Sequence, residues 1–253
     1  MIAIFDAGNT NITTGIFNND KIFHVYRIKT NLIQNKVKFI AELKSILRKY
    51  NVTDAFVGSV VPKATIILNE TLKKHFNIRP EFINKNTKLN IKNKYKNKKE
   101  VGDDRIANAA AAAHYYKNQN VIVIDFGTAI TFDVINQKAE YLGGLILPGI
   151  NLCLRCLSEN TARLPEVNMK KINKIIGNTT EKSILSGIKN GLTGAIKYIT
   201  EEIKKEMKFS DTKIILTGGE ADLIKIEIDP YQILDKNLTL KGFKIIFDLN
   251  KKE

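Results

Sequence analysis

Residues 2–17 read IAIFDAGNTNITTGIF, and residues 121–135 read VIVIDFGTAITFDVI. Each is an apolar, β-type run that ends in an acid, Asp6 or Asp125, crosses a glycine turn and resumes as a second apolar run. The turn is Gly-Asn-Thr in the first copy and Gly-Thr in the second. Short apolar runs bounded by turn residues predict strands, so each stretch predicts a hairpin with its acid at the end of the first strand. Two copies of one hairpin, about half a chain apart, predict a duplicated fold.

The flanking sequence agrees with that plan. In the first half, residues 21–28 continue the hairpin as a third strand, and residues 36–50 carry Val37, Ile40, Leu43 and Leu47 at helical spacing. Residues 55–61 predict a strand closed by Pro62, residues 64–75 a helix, and the Ala-rich residues 104–116 a helix that packs closely. In the second half, residues 131–135 and 139–142 predict a hairpin, with GGLILPG (residues 143–149) as a turn-rich connection. Helices are expected at 150–157, 180–207 and 238–249, and strands at 213–216 and 231–234. Strand hairpins followed by alternating helices and strands make the fold class α/β. The domains are expected at residues 1–118 and 119–253.

The composition, 43% hydrophobic and 26% charged over 253 residues, is that of a soluble globular protein. No stretch reaches the about 20 apolar residues needed to span a bilayer. The N-terminus starts a strand at once and lacks the zones of a signal peptide, so a cytoplasmic enzyme is expected. The net charge of +14 raises a nucleic-acid reading, but much of it is Lys scattered among Asn, as at residues 84–99. Without interleaved aromatics this reads as solvated surface, whose field can still draw in small anions. Cys153 and Cys156 form a C-x-x-C with no further ligands at metal spacing, since His24, His75 and His114 lie far away in the sequence. Two small thiols on one helix face are expected there.

An acid at a strand end followed by a glycine turn with hydroxyl side chains suits a metal-bound phosphate. Gly8 and Gly127 allow close backbone approach, turn N–H groups make an anion-binding concavity, and Thr10, Thr13 and Thr128 add donors. Asp6 offers the hard oxygen that Mg²⁺ prefers, directly or through water. Either acid alone could equally cap a turn; the duplication favours a phosphate cleft between two similar domains. A third cluster, GDDRIANAAAA from Gly102, places Asp104 and Arg105 where a loop meets a helix. There the carboxylate can face a site while the guanidinium holds an anion. Asp103 and Asp104 are equally readable as charges that stabilise a helix N-terminus.

Taken together the motifs resemble the type III pantothenate kinases, within the acetate and sugar kinase/Hsp70/actin superfamily of duplicated ribonuclease H-like domains. The resemblance runs in order along nearly the whole chain: DAGNTN (6–11), SVVP (59–62), Tyr95 leading to EVGDDRIANAAAA (100–112), IDFGTAIT (124–131) and GGLILPGI (143–150). TARLPEV (161–167), GNTTEKSILSGI (177–188), TGGEADLI (217–224) and LTLKGF (238–243) complete it. It implies two ribonuclease H-like domains with a nucleotide cleft between them, and ATP-dependent phosphorylation of pantothenate to 4′-phosphopantothenate, the first step of coenzyme A synthesis.

The resemblance also implies residue roles. Asp6, Ala7, Gly8, Asn9, Thr10, Asn11, Ile12, Thr13 and Thr128 would contact ATP, with Asp6 near Mg²⁺ through water. Asp104 would be the general base. Tyr95, Gly102, Asp103, Asp104, Arg105 and Thr180 would bind pantothenate, and Asp125 would hold K⁺ or NH₄⁺. A homodimer with the pantothenate site at its interface is implied, with no membrane and no nucleic acid as partner. This chain departs from the usual pattern at Asp103, often Ala, at Lys98, often Pro, and at Cys153 and Cys156, where small residues are usual. Another phosphotransferase of the superfamily, or a nucleotide-sensing regulator, are the competing readings. The Tyr95, GDDR and Thr180 set speaks against the first, and the intact Asp6, Asp104 and Asp125 set against the second.

Overall fold

The computed structural model describes residues 1–224, 228 and 232–251. The chain divides into two compact units, Met1–Tyr115 joined by the C-terminal segment from Leu238, and Tyr116–Asn237.

The first unit opens with an antiparallel meander of β1 (Ile2–Ala7), β2 (Asn11–Asn18) and β3 (Lys21–Lys29). It continues through α1 (Lys36–Leu47), β4 (Asp54–Ser59), α2 (Pro62–Phe76), the short β5 (Glu81–Phe82) and β6 (Lys92–Asn93), and α3 (Asp103–Tyr115). The sheet order is β3-β2-β1-β4-β5, with β4 parallel to β1. The central β1 is buried at every position except Asp6, as a strand covered on both faces must be. Side chains alternate along it. Ala3, Phe5 and Ala7 join the core formed with Phe39 and Leu43 of α1 and Leu68 and Leu72 of α2. Ile2, Ile4 and Asp6 therefore point to the other face.

That other face is covered by α3 and by a helix from the far end of the chain, α7 (Leu238–Asn250 in the order of elements below). Phe56 of β4 meets the rings of Phe243 and Phe247, each at 6.1 Å between centroids. The Ala-rich α3 lets α7 approach closely: a Cβ on Gly242 would stand 1.9 Å from the Ala107 carbonyl oxygen. Thr239 Oγ1 donates to Asn108 Oδ1 at 2.9 Å inside the same contact. These compact units differ from the expected limits of 1–118 and 119–253. The chain divides after Tyr115, and the C-terminal helix expected in the second domain packs with the first. The reason is the apolar set Leu238, Leu240, Phe243, Ile246 and Phe247, which is buried on α3 and the sheet.

The second unit repeats the plan: β7 (Asn120–Phe126), β8 (Ala129–Ile135), β9 (Glu140–Pro148), α4 (Ile150–Glu159), α5 (Thr180–Met207), β10 (Thr212–Thr217), α6 (Ala221–Ile224) and β11 (Ile233–Leu234). Its strands run in the order β11-β10-β7-β8-β9, which matches β5-β4-β1-β2-β3 strand for strand. Ile122, Ile124 and Phe126 enter the core with Ile150 and Leu154 of α4 and Ile184, Leu185 and Ile196 of α5. By alternation Asp125 lies on the opposite face, as Asp6 does in the first unit. The fold is thus a pair of duplicated ribonuclease H-like units.

Two further differences from expectation have physical causes. GGLILPG is strand rather than a turn-rich connection, since β9 runs through it, pairing Gly143 with Val134 and Pro148 with Ala129. Gly143 takes φ 118° beside the register shift at Val134 and Ile135, so the glycine absorbs a bulge and the strand continues. Of the strand expected at 231–234, Ile233–Leu234 is observed, and Tyr231 lies outside the described residues. Among the described residues no helix is long and apolar enough to cross a membrane. The Lys/Asn-rich stretch at 84–99 is largely exposed, as expected for solvated surface.

Candidate active site

In the first unit, Asp6 ends β1 in register with Thr13 of β2 and Gly58 of β4. The turn Gly8, Asn9, Thr10 is closed by the Gly8 N–H donating to the Asn11 carbonyl at 3.0 Å. It is braced from outside by Thr30, whose Oγ1 donates to the Gly8 carbonyl at 2.7 Å and whose N–H donates to the Thr10 carbonyl at 3.0 Å. Asp6, Gly8, Asn11 and Thr13 are half-buried and Asn9 and Thr10 exposed, so the turn is rigid yet open. Ala7 and Ile12 are fully buried in the core, which leaves only their backbone to meet a ligand.

Among the described residues nothing requires glycine at position 8. A Cβ there would lie 3.4 Å from the Asn11 oxygen, ordinary contact, and φ is not positive. If the missing Cβ serves a phosphate, Gly8→Ala keeps the melting temperature and raises the KM for ATP about tenfold or more, about 1.4 kcal/mol of binding. A variant with unchanged KM would show the turn does not approach the nucleotide.

The GDDR cluster lies at the same end of this sheet. The Val60 N–H donates to the Ala7 carbonyl at 3.2 Å, and the Ser59 N–H donates to Asp103 Oδ2 at 2.9 Å. These bonds join the ends of β1 and β4 to the start of α3. Asp104 Oδ1 accepts from the Arg105 N–H at 2.8 Å. A Cβ on Gly102 would come within 2.5 Å of that same oxygen and 3.2 Å of Val60 Cγ1, so a side chain there would displace the Asp104 carboxylate. Burial pushes Asp104 above the ordinary carboxylate range, opposed by the Arg105 N–H and guanidinium. Asp103 is pushed up too, by burial and by the charge of Asp104, against the lowering effect of the Ser59 N–H. The Asp103 carboxylate therefore does not simply face solvent. Arg105 is only 6% exposed and its charge acts on Asp104, so its cation is held near that acid rather than free in water. Tyr95 is half-buried in the loop between β6 and α3, its N–H donating to Asn93 Oδ1 at 2.9 Å.

The second unit builds a turn of its own at the corresponding place. Asp125 ends β7 in register with Thr131 of β8 and Thr217 of β10. The Gly127 N–H donates to the Ala129 carbonyl at 3.1 Å, and the Gly149 N–H donates to the Thr128 carbonyl at 3.0 Å. Asp125 is half-buried and Thr128 exposed, the pattern of Asp6 and Thr10. The TGGE turn after β10 closes against this strand end. Gly218 takes φ 94°, and a Cβ on it would stand 2.4 Å from Asp125 Oδ1. The Glu220 N–H donates to the Phe126 carbonyl at 2.9 Å. Glu220 Oε1 accepts from Asn151 Nδ2 at 2.6 Å, and burial raises its pKa against the Ile150 and Asn151 N–H groups at the start of α4. Glu220, Gly149 and Gly218 received no role from the sequence, although a glycine-acid turn directly after a strand was the available signal. Thr180 is the exposed first residue of α5, whose cap is the Thr179 hydroxyl accepting from the Lys182 N–H at 3.2 Å.

The donors fit the implied cations. Thr217 Oγ1 and Glu220 Oε2 are buried without hydrogen-bond partners near the end of β7, so beside Asp125 lies an oxygen-rich, under-satisfied set. Among the described residues no cluster of three or more His, Cys, Asp or Glu side chains could hold a metal alone. Cys153 is half-buried and Cys156 exposed on α4, neither in a disulfide. Burial and the neighbouring Cys156 and Glu220 push the Cys153 thiol up, away from a reactive thiolate.

A Finegoldia magna protein named type III pantothenate kinase is 40% identical over 260 residues, covering 100% of this chain and 99% of its own. Among solved structures, a Campylobacter jejuni protein described as a Baf family transcriptional activator superposes with TM-score 0.59 at 23% identity, covering 98% of each chain. An inorganic polyphosphate/ATP-glucomannokinase from an Arthrobacter species does so with TM-score 0.51 at 16% identity, covering 99% of this chain and 100% of that one. At those identities the two structures speak for the fold alone. The family model for type III pantothenate kinase matches residues 2–202, and with the full-length relative it shows that the chain belongs to the type III pantothenate kinase family.

Proposed function

We propose that Asp104 is the general base in the reaction of this family, ATP-dependent phosphorylation of pantothenate to 4′-phosphopantothenate, the first step of coenzyme A synthesis. The observation that carries the assignment is the Asp104 carboxylate itself. It sits at the start of α3, by the end of the β1 strand that bears Asp6, and burial raises its pKa toward the working range of a base. In the reaction, Asp104 accepts the proton of the pantothenate primary hydroxyl as its oxygen attacks the γ-phosphorus and ADP departs. Phosphoryl transfer asks for positioning and charge neutralisation more than for covalent help.

Asp6, Ala7, Gly8, Asn9, Thr10, Asn11, Ile12, Thr13 and Thr128 contact ATP, Ala7 and Ile12 by their backbone. Asp6 would hold Mg²⁺, and Asp125 would hold K⁺ or NH₄⁺. When bound, these cations neutralise charge on the triphosphate. Tyr95, Gly102, Asp103, Asp104, Arg105 and Thr180 contact pantothenate, Asp103 by its backbone because its carboxylate is taken by the Ser59 N–H, and Arg105 as a fixed cation for an anionic or carbonyl group. The same reading makes the protein a cytoplasmic homodimer that binds no nucleic acid.

The test is ADP release by purified protein with Mg-ATP, with and without pantothenate, in K⁺ and then in Na⁺ buffer. Release that requires pantothenate and is much faster in K⁺ is expected. Pantothenate-independent release, or none in any buffer, would contradict the function, and equal rates in K⁺ and Na⁺ would remove the role given to Asp125.

A further inference from the structure

We infer that Asp103 is a positioning residue, whose carboxylate ties the first turn of α3 to the end of β4 and so fixes where Asp104 stands relative to the Asp6 turn. This rests on the reading of Asp104 as the base. The path can be followed atom by atom. The Ala7 carbonyl, next to Asp6, accepts from the Val60 N–H at 3.2 Å. The preceding N–H, that of Ser59, donates to Asp103 Oδ2 at 2.9 Å, and Asp104 follows directly along the helix. Ser59 is otherwise turned toward its own loop, its Oγ accepting from the Val61 N–H and donating to the Val61 carbonyl, each at 3.1 Å. Hence the part-buried Ser59 N–H has Asp103 as its acceptor, and losing that acceptor would leave a backbone donor unpaired at the strand end. A hydrogen bond to an ionised acceptor is stronger and shorter than a neutral one, which makes the tie stiff.

An acid at the start of a helix also stabilises it by charge alone, without any directed bond. Two substitutions separate these roles. Asp103→Asn keeps an acceptor oxygen and removes the charge, whereas Asp103→Ala removes both. In the ADP-release assay, Asp103→Ala is expected to lower kcat about tenfold, as small misplacements of a catalytic group do. The KM for ATP and pantothenate should stay within about twofold, since this carboxylate is engaged by the Ser59 N–H; RT ln 2 is about 0.4 kcal/mol. Asp103→Asn should recover most of that kcat.

Wild-type kcat in Asp103→Ala would overturn the inference, as would a loss matched by the unfolded fraction in a thermal melt. An Asn variant as impaired as the Ala variant would assign the effect to charge, and a raised pantothenate KM at unchanged kcat would make Asp103 a substrate contact. Either result also overturns the positioning role. Asp104→Asn, run alongside, keeps the two readings apart. If it retains turnover, the base assignment fails; if it is inactive while Asp103→Ala is fully active, only the positioning role fails.

Discussion

Asp104→Asn is expected to bind Mg-ATP as the wild type does, to lose about 10²–10⁴-fold in kcat, and to melt at a higher temperature. The loss follows from removing the proton acceptor while keeping the side chain's size. The gain in stability follows from linkage. Burial holds the Asp104 pKa in the folded protein above its unfolded value, so the folded state binds this proton more tightly. Its favourable contribution is complete below the unfolded pKa and is lost as pH rises through the folded one. Above that point an ionised carboxylate is held in a partly dry site, and a neutral amide removes the cost. For a chain of this size each kcal/mol recovered raises Tm by about 2–4 °C. Stability gained together with activity lost is the signature of a strained catalytic group. Calorimetry with Mg-ATP, a thermal melt at pH 8 and steady-state kinetics check the three parts. Near wild-type kcat would remove Asp104 from the mechanism.

Gly242→Val is expected to be the most damaging single substitution for the fold, costing about 3 kcal/mol or more by overpacking. The first new carbon would stand 1.9 Å from the Ala107 carbonyl oxygen and 2.9 Å from the Ala107 Cα. Both are backbone atoms of a helix, which cannot rotate away as a side-chain tip can. The helices must separate, which also strains the bond from Thr239 to Asn108 and the seat of Phe243 over Gly58. Because α3 carries Asp104, the protein that remains folded should show reduced kcat. A denaturant titration measures the loss, and a shift below about 1 kcal/mol would mean the α3–α7 contact is looser than the structure has it.

The duplicated hairpin was legible because it is local. Apolar runs, one acid and a glycine turn in each copy set the β1–β2 and β7–β8 pairs. Their turns, Gly8–Thr10 and Gly127–Thr128, differ in length as the sequence suggests. The course of β9 was not legible, because Gly143, Gly144 and Pro148 are turn residues by composition and only pairing with β8 keeps them extended. The place of α7 was hidden for a different reason. Its amphipathic pattern was clear, but the surface it covers belongs to β1, β4 and α3, more than a hundred residues earlier in the chain. At the site, types and order of residues pointed to Asp6, Asp104 and Asp125. The ties that fix them, Ser59 to Asp103, Thr30 to the Gly8 turn and Glu220 to the start of α4, depend on long-range packing and had no motif to announce them.

The central claim is that a half-buried carboxylate, Asp104, takes the proton from pantothenate. The pH dependence of kcat/KM for pantothenate tests it most directly, because its acid limb reports the base of the free enzyme. The wild type should lose activity as pH falls, with a midpoint above the ordinary carboxylate range, and the residual activity of Asp104→Asn should lack that limb. A midpoint at an ordinary carboxylate value, or the same limb persisting in Asp104→Asn, would contradict it.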